Sequence, residues 1–349
     1  MRSKIIRVGI AGFGMSGTIF HAPFLHAHPA FELKKVYERK TNRAETEYPY
    51  VQTVRSFEEL LTDDIDLVII SLPNLLHVPA ARQAILAGKN VIIEKPMAAT
   101  AAEAEELVRL AEQQGVLLTV YQNRRLDGDF LTVKKLIEDG SLGEIVDYRV
   151  RYDRYVTGLS SKQWKNEGGP GVNILYDLGV HIVDQIYHLF GMPETVSGEF
   201  RKLREESGEF DAFDLVLRYG ELRASASATE TAPAPGPHYT VNGRKGSFIK
   251  FGMDVQEEAL LAGARPPMEH WGEDDPAMYG TWTRITEQGP VSEKVETCRG
   301  WYGTFYDRLY DALVNGAPAP VDPMDAVNVL RILEASLESG KTGKCVEMR

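Results

Sequence analysis

The sequence predicts an α/β protein in which a doubly wound parallel sheet is followed by an α+β domain with a large, mostly antiparallel open sheet. Near the N-terminus, a short apolar run leads into a glycine-rich turn at residues 12–17. As far as about residue 124, apolar runs alternate with helical patterns, which is typical of a parallel sheet. After residue 125 the runs alternate between polar and apolar residues, which is typical of an antiparallel sheet with one covered face. We therefore predict two domains, at residues 1–124 and 125–349.

The first predicted strand, residues 5–11, is apolar except for Arg7. Glycines at positions 12, 14 and 17 follow it, and this spacing suits a tight turn, close approach of the backbone to a phosphate, and packing of helix on strand. The helix that follows would present free N–H groups and a positive dipole end to an anion. A glycine-rich turn without a ligand is the alternative. The pattern predicts a Rossmann-type phosphate cradle formed by Gly12, Phe13, Gly14, Met15, Ser16 and Gly17.

The second predicted strand, Phe31–Tyr37, ends at Glu38, which lies 21 residues past Gly17 and stands where an acid that binds the ribose is expected. This context favours a dinucleotide as the ligand. Glu38 can accept hydrogen bonds from both ribose hydroxyls, which suits NAD. Three cations lie beside it: Arg39, Lys40 and Arg43. Because a guanidinium is a natural partner of a phosphate, and cations are disfavoured at a helix N-terminus, we predict NADP as the cofactor, with NAD as the alternative.

Three further strands complete the predicted parallel sheet, at residues 65–70, 90–93 and 116–121. Thr100 and Glu103 have the spacing of a capping box and predict the start of a helix that continues to Gln114. Ligands of such sheets bind beyond the carboxyl ends of the strands. The residues that follow these strands are therefore predicted to contact the cofactor: Ser71, Leu72, Pro73, Asn74, His77, Glu94, Lys95, Gln122 and Asn123.

The second domain begins with a predicted helix near residues 130–139 and a long strand at residues 145–155. Alternating strands follow at residues 211–219 and 222–229, and a helix is predicted at residues 323–339. A large open sheet face is a common surface for dimerisation. We therefore expect the chain to form a homo-oligomer.

Candidate catalytic residues lie in both domains. Asp177 and His181 are four residues apart in a segment, 173–190, with helical spacing, so both side chains lie on one face. Histidine can take a hydroxyl proton near neutral pH, and Lys95, next to a proline at a strand end, can stabilise alkoxide charge. A core histidine with a capping aspartate, or a surface lysine, would be the structural alternative. Asp184 follows His181 by three residues, but no second cluster supports a metal site, and none is predicted.

Composition limits the class of protein. The chain has 349 residues, is 43% hydrophobic and 26% charged, and carries a net charge of -11, which argues against nucleic acid or anionic membranes as partners. Its only cysteines, Cys298 and Cys345, cannot form a disulfide framework, so a reducing, cytoplasmic location is expected. No apolar run approaches 18 residues, so no membrane span is expected. Arg7 and the glycine turn favour a strand over a signal peptide at the N-terminus.

Three motifs together resemble the Gfo/Idh/MocA oxidoreductase family over essentially the whole chain: the glycine fingerprint, Glu94-Lys95-Pro96, and the Asp177-x-x-x-His181 spacing after the glycine-rich segment 168–171. The sequence is most similar to the bacterial NADP-dependent scyllo-inositol dehydrogenases of that family, in segments 20–23, 123–125, 129–132, 176–179, 184–185, 188–191 and 271–272. The resemblance implies that Lys95, Asp177 and His181 are catalytic, with His181 as acid/base, and that the chain forms homodimers or homotetramers through the open sheet. Glu38 departs from this pattern, since those relatives have a small residue there.

The resemblance implies reversible oxidation of a secondary hydroxyl on a cyclic polyol, most closely an inositol. Polar side chains in the loops of the second domain fit a polyhydroxylated ring, because each buried hydroxyl needs a partner. The predicted substrate-binding residues are Arg125, Asp127, Tyr152, Trp164 and His238, of which Trp164 would lie over the substrate. Three alternatives remain within the family: an aldose dehydrogenase, an NAD-dependent glycoside hydrolase, or a regulator that binds a ligand without turnover.

Overall fold

The structure is a computed structural model that describes residues 4–158, 171–205 and 207–348. The chain divides into two units. The first comprises residues 1–123, 256–271 and 301–327, and the second comprises residues 124–255, 272–300 and 328–349. The first division point lies one residue from the predicted domain boundary. The two later segments of the first unit, however, come from the part of the sequence assigned to the second domain.

Six parallel strands form the sheet of the first unit. They are β1 Ile6–Ala11, β2 Phe31–Tyr37, β3 Gln52–Val54, β4 Leu67–Ile70, β5 Asn90–Ile93 and β6 Leu118–Val120. Their order is β3-β2-β1-β4-β5-β6, and every neighbouring pair is parallel. The doubly wound sheet is therefore confirmed. The order reverses between β1 and β4, and ligands of this fold bind at such a reversal.

The described α-helices of the first unit include one that begins at the predicted capping box. Their bounds are Ala22–Ala27, Arg43–Glu47, His77–Leu86, Ala101–Gln114, Gln256–Leu261 and Gly303–Asn315. The capping box is confirmed, because the Thr100 hydroxyl accepts from the backbone N–H of Glu103 and the Glu103 carboxylate accepts from the backbone N–H of Thr100. Phe305 packs edge-on against Tyr121 with ring centroids 4.8 Å apart, which ties the late helix Gly303–Asn315 to the end of β6.

Nine strands form the sheet of the second unit. They are β7 Ile145–Asp153, β8 Thr195–Arg201, β9 Ala212–Tyr219, β10 Leu222–Thr229, β11 Tyr239–Gly243, β12 Gly246–Lys250, β13 Gly280–Thr286, β14 Gly289–Val295 and β15 Val346–Glu347. Their order is β14-β13-β12-β11-β7-β10-β9-β8-β15, and among the described strands of this sheet only β7 and β10 pair in parallel. The mostly antiparallel sheet is confirmed. Ala224, Ala226 and Ala228 of β10 are buried and alternate with partly exposed neighbours, as one covered face requires.

The remaining described helices are Gly128–Glu138, Val180–Phe190 and Pro323–Thr342. A π-helical turn, Leu175–Gly179, leads directly into Val180–Phe190. No described helix is both long enough and apolar enough to cross a membrane.

Candidate active site

The three glycines after β1 have three different surroundings. Gly12 has φ +97°, and a Cβ there would lie 2.6 Å from the Ser71 carbonyl oxygen. A Cβ on Gly17 would lie 2.5 Å from the Gly12 carbonyl oxygen. At Gly14, by contrast, no described atom outside Gly14 and its two chain neighbours lies within 4 Å of the Cβ position. The protein's own packing therefore excludes a side chain at positions 12 and 17, whereas Gly14 faces open space of the kind that a pyrophosphate needs.

A cleft of about 660 Å³ lies at the carboxyl ends of the strands of the first unit. Eight residues predicted to bind the cofactor line it: Gly12, Phe13, Gly14, Glu38, Arg39, Ser71, Leu72 and Pro73. Sequence analysis missed a further part of the lining, Phe57 and Glu58, which follow the short strand β3. Leu76, Pro79, Ala80 and Gln83 complete one wall at and within helix His77–Leu86. The cleft joins the phosphate cradle to the segment after β2, which suits a dinucleotide.

The carboxylate of Glu38 is bound by its own loop. Glu38 is only 6% exposed; its Oε1 accepts from the Ala44 backbone N–H at 2.9 Å, and its Oε2 accepts from the Thr41 hydroxyl. Arg39 and Lys40 are exposed and line the cleft. Arg43 is not one of the cleft residues, and its Nη2 lies 3.8 Å from Glu47 Oε1. Two of the three predicted cations are thus available to a phosphate in the cleft.

Glu94 lies in a buried polar cluster within the first unit. Its Oε1 lies 2.9 Å from His21 Nε2 and accepts from the Ser16 hydroxyl, while its Oε2 accepts from the Lys95 backbone N–H at 3.1 Å. Burial opposes ionisation of this carboxyl, but the hydrogen bonds from His21 and Ser16 outweigh it and lower the pKa of Glu94. Tyr306 holds the other side of the imidazole, with its hydroxyl 2.7 Å from His21 Nδ1. Glu94 therefore connects the phosphate turn to the backbone of Lys95.

His77 connects the segments that follow β4 and β5. It is 1% exposed, and its two ring nitrogens lie 2.8 Å from the carbonyl oxygens of Leu72 and Pro96. Burial lowers the pKa of His77 despite these carbonyl contacts. His77 is buried beneath the cleft instead of lining it, and it supports the segment that carries half-buried Lys95.

The remaining predicted cofactor residues differ in exposure. Gln122 and Asn123 are buried at the end of β6, and Gln122 Oε1 has no hydrogen-bond partner among the described residues. Met15 is exposed in the glycine turn, and Asn74 begins the turn before helix His77–Leu86. A buried amide oxygen without a protein partner is unusual, and a bound ligand is one way to satisfy it.

Asp177 and His181 lie where a π-helical turn becomes an α-helix in the second unit. Asp177 belongs to the turn Leu175–Gly179, and His181 is the second residue of Val180–Phe190. His181 is 6% exposed and Asp177 is half-buried. Short π-helical segments inside helices occur frequently at functional sites. The predicted helix is therefore present, with an irregular first turn at the candidate acid/base.

Predicted substrate residues of the second unit take part in buried polar pairs. Arg125 donates two hydrogen bonds of 2.7 Å to the Asp184 carboxylate. Arg124 lies 3.3 Å from Asp127, and it also donates to the Tyr152 hydroxyl at 2.8 Å. These pairs hold the start of helix Gly128–Glu138 against β7 and helix Val180–Phe190. Trp164 and most of the segment 168–171 lie outside the described residues.

His238 and Asp129 form a second buried pair. His238 donates from Nδ1 to the Arg151 carbonyl oxygen, and its Nε2 lies 3.6 Å from Asp129 Oδ2. Burial lowers the pKa of His238 to about 4, whereas burial and the charge of Asp254 raise the pKa of Asp129 to about 7. The separation of 3.6 Å between His238 Nε2 and Asp129 Oδ2 is longer than a hydrogen bond, so the two groups face each other without one. Within the described residues, no group of three His, Cys, Asp or Glu side chains has an arrangement that could hold a metal ion.

Two models of the GFO_IDH_MocA oxidoreductase family match the chain. The NAD-binding Rossmann fold matches residues 6–122, and the C-terminal alpha/beta domain matches residues 134–348. The chain is 42% identical to the scyllo-inositol 2-dehydrogenase (NADP(+)) IolW of Bacillus subtilis, over 98% of this chain and 95% of that protein. It is 37% identical to the uncharacterized oxidoreductase YdgJ of Escherichia coli, over 97% of each chain. Among solved structures, the oxidoreductase yvaA of Bacillus subtilis matches with a TM-score of 0.97 and 40% identity over 100% of both chains.

Proposed function

Because this chain belongs to the Gfo/Idh/MocA oxidoreductase family and is a dehydrogenase acting on CH-OH groups, we propose that it oxidises a ring hydroxyl of an inositol, most closely scyllo-inositol, with NADP. The observation that supports this choice of substrate is the 42% identity, over 98% of the chain, to a protein named scyllo-inositol 2-dehydrogenase (NADP(+)). An inositol is a compact, neutral polyol, and its oxidation yields a ketone.

The cleft of the first unit supports NADP as the cofactor. Gly14 leaves room for the pyrophosphate beside the start of a helical segment that begins with the π-helical turn Gly17–His21 and continues as Ala22–Ala27, and the free N–H groups at this start favour an anion. Arg39 and Lys40 line the cleft beyond β2 and supply positive charge for a 2′-phosphate. The carboxylate of Glu38 is already hydrogen-bonded by Thr41 and Ala44, so it does not present two unpaired oxygens to the ribose. When bound, the nicotinamide ring supplies the hydride acceptor.

We assign the proton transfer to His181 and the stabilisation of the alkoxide to Lys95. As the substrate C–H bond releases its hydride, the hydroxyl proton passes to the imidazole of His181, and Asp177 favours the resulting imidazolium. The ammonium of Lys95 offsets the negative charge that develops on the substrate oxygen. Reduction of the ketone reverses each step. Glu94 and His77 position the segment of Lys95 through the Lys95 backbone N–H and the Pro96 carbonyl oxygen.

We further propose that the polyol contacts Arg125, Asp127, Tyr152, Trp164 and His238. Support comes from the concentration of hydrogen-bonding groups in this part of the second unit, since hydroxyls taken out of water need donors and acceptors. Arg125 and Asp127 are already paired with Asp184 and Arg124, so they serve best as rigid supports. Substitution at either should therefore affect folding as well as substrate affinity. Assembly into a homodimer or homotetramer through the open sheet, and a cytoplasmic location, also belong to this proposal.

A turnover screen tests the proposal. Purified protein is incubated with inositol isomers, aldoses and simple secondary alcohols, each with NADP⁺ and with NAD⁺, and formation of reduced cofactor is followed by absorbance. We expect scyllo-inositol with NADP⁺ to give the highest kcat/KM, with simple alcohols at least about a hundredfold lower because they leave buried polar groups unpaired.

Each alternative has its own signature in the same screen. A better aldose than any inositol would indicate a sugar dehydrogenase. Glycoside cleavage without net reduction of the cofactor would indicate the hydrolase, and ligand binding without turnover would indicate a regulator. Any of these results would contradict the inositol proposal, and the His181→Ala variant supplies the blank for catalysis by contaminants.

A further inference from the structure

We propose that Glu38 and Arg55 act together as positioning residues that hold the loop from Glu38 to Asn42 in the shape that binds a 2′-phosphate. The inference rests on the proposed use of NADP and goes beyond it. An acid at the end of β2 is expected to bind the ribose and favour NAD. Here the acid supports the opposite preference, because it organises the loop that carries Arg39 and Lys40.

Glu38 anchors the loop from its interior side. The carboxylate is buried, and both of its oxygens accept hydrogen bonds from groups three and six residues further along the chain, the Thr41 hydroxyl and the Ala44 backbone N–H. Ala44 lies in the first turn of the short helix Arg43–Glu47, so its backbone N–H has no acceptor within that helix and donates to Glu38 instead. The side chain thus folds the loop back onto the following helix.

Arg55 anchors the same loop from the other side. Its Nη1 donates to the carbonyl oxygens of Glu38, at 2.8 Å, and Thr41, at 2.7 Å, and its Nη2 donates to the Asn42 side-chain oxygen. A single guanidinium therefore bridges both ends of the loop. Arg55 follows β3, which pairs in parallel with β2, so the sheet fixes its position. Lysine cannot reproduce this planar set of donors.

Arg39 and Lys40, the exposed cations that line the cleft, lie within the stretch of chain that Glu38 and Arg55 hold at both ends. Long, exposed side chains on a mobile loop lose much conformational freedom when they bind an anion, and a loop that is already ordered reduces this loss. The guanidinium of Arg55 also lies beside the Glu38 backbone, with Nη1 2.8 Å from the Glu38 carbonyl oxygen. Selectivity for the 2′-phosphate therefore depends on residues behind the cations as well as on the cations themselves.

The test measures binding without turnover. Calorimetry gives the affinity of wild type and variants for 2′,5′-ADP, which carries the 2′-phosphate, and for 5′-AMP, which is the same nucleotide without it. Arg55→Lys keeps the charge but loses the planar donors, and we expect it to weaken 2′,5′-ADP binding by about threefold to tenfold, with 5′-AMP binding changed by less than about twofold. We expect Glu38→Ala to weaken 2′,5′-ADP binding as well. We call the hydrogen bonds of the Glu38 and Arg55 side chains to this loop the clamp. Arg43→Gln is the matched control, because it removes a nearby exposed cation that pairs with Glu47 and takes no part in the clamp.

The outcomes separate this inference from its rivals. If Glu38 acted mainly by repelling the 2′-phosphate, Glu38→Ala would tighten 2′,5′-ADP binding. If Arg55 acted only through its charge, Arg55→Lys would bind like wild type. Either result would overturn the proposed clamp. Should Glu38→Ala unfold, Thr41→Val removes a single hydroxyl donor to Glu38 and must show the same selective weakening.

Failure of the NADP proposal would appear differently. If Arg39→Ala left 2′,5′-ADP binding unchanged and wild type bound both nucleotides equally, the 2′-phosphate site itself would be wrong. If Arg39→Ala weakened binding and the clamp variants did not, only the clamp would be wrong. Hydrogen exchange without ligand adds an independent readout: the Ala44 amide should exchange faster in Arg55→Lys and Glu38→Ala, with the amides of β1 unchanged.

Discussion

The change Gly14→Ala should separate ligand binding from folding in the phosphate turn. No described atom outside Gly14 and its two chain neighbours lies within 4 Å of the Cβ position, and the φ of Gly14 is not positive, so the fold accommodates the methyl group without strain. Loss of glycine's freedom in the unfolded chain should then stabilise the protein by about 0.4–1 kcal/mol, which corresponds to a rise in Tm of about 1–3 °C. The same methyl group occupies the space that a pyrophosphate needs, and it should therefore weaken the binding of NADP⁺ and the binding of NAD⁺ equally.

The size of the binding loss follows from the contacts at stake. A hydrogen bond to a charged group contributes about 1.5–3 kcal/mol, so displacing the phosphate from one backbone N–H should cost about tenfold to a hundredfold in affinity. Gly12→Ala and Gly17→Ala are the matched comparisons, because their Cβ atoms would lie 2.6 and 2.5 Å from backbone oxygens. Those two variants should lose Tm even without ligand. The assay pairs thermal melting of the ligand-free protein with calorimetric titration of each dinucleotide. Wild-type affinity in Gly14→Ala, or a Tm as low as that of Gly17→Ala, would refute this reasoning.

Three further predictions concern the charged residues. Lys95→Ala and His181→Ala should each lower kcat by about 10²–10⁴ while calorimetry shows cofactor binding retained, and a near-normal kcat in His181→Ala would exclude it as the acid/base. Arg39→Ala should weaken NADP⁺ binding by about tenfold to a hundredfold and leave NAD⁺ nearly unchanged, whereas equal losses would mean that Arg39 does not contact the 2′-phosphate. Because burial raises the pKa of Asp129 to about 7, above its unfolded value of about 3.9, the folded state binds the extra proton and its stability falls as pH rises through this interval. Asp129→Asn should therefore flatten the decline of Tm between about pH 4 and 7, and an unchanged profile would contradict the protonated Asp129.

Sequence patterns sufficed where structure depends on neighbours along the chain. The glycines at 12 and 17, the capping box at Thr100 and the alternation in β10 each report a local backbone requirement. Even the charge within β1 has a simple reason, because Arg7 donates two hydrogen bonds of 2.9 and 2.6 Å to the Asp66 carboxylate just before β4. The pattern alone predicted the strand correctly but could not identify this partner.

The parts that sequence could not supply depend on distant contacts. Residues 301–327 belong to the first unit since Phe305 and Tyr306 pack around Tyr121 and His21, and no local pattern reports such pairings. Strand β3 has three residues, of which only Val54 is buried, so it lacks an apolar run. The orientation of the Glu38 carboxylate depends on donors at Thr41 and Ala44, which position along the chain does not reveal.

The most direct test of the proposed reaction follows hydrogen from substrate to cofactor. scyllo-Inositol that carries deuterium on its ring carbons is incubated with NADP⁺ and the wild-type protein, and mass spectrometry is applied to the reduced cofactor and the product. The account predicts one deuterium in each molecule of NADPH formed, an equal amount of the corresponding ketone, and slower turnover than with unlabelled substrate under conditions where hydride transfer limits the rate. Failure of the ring deuterium to appear in NADPH, or the absence of any ketone, would contradict it.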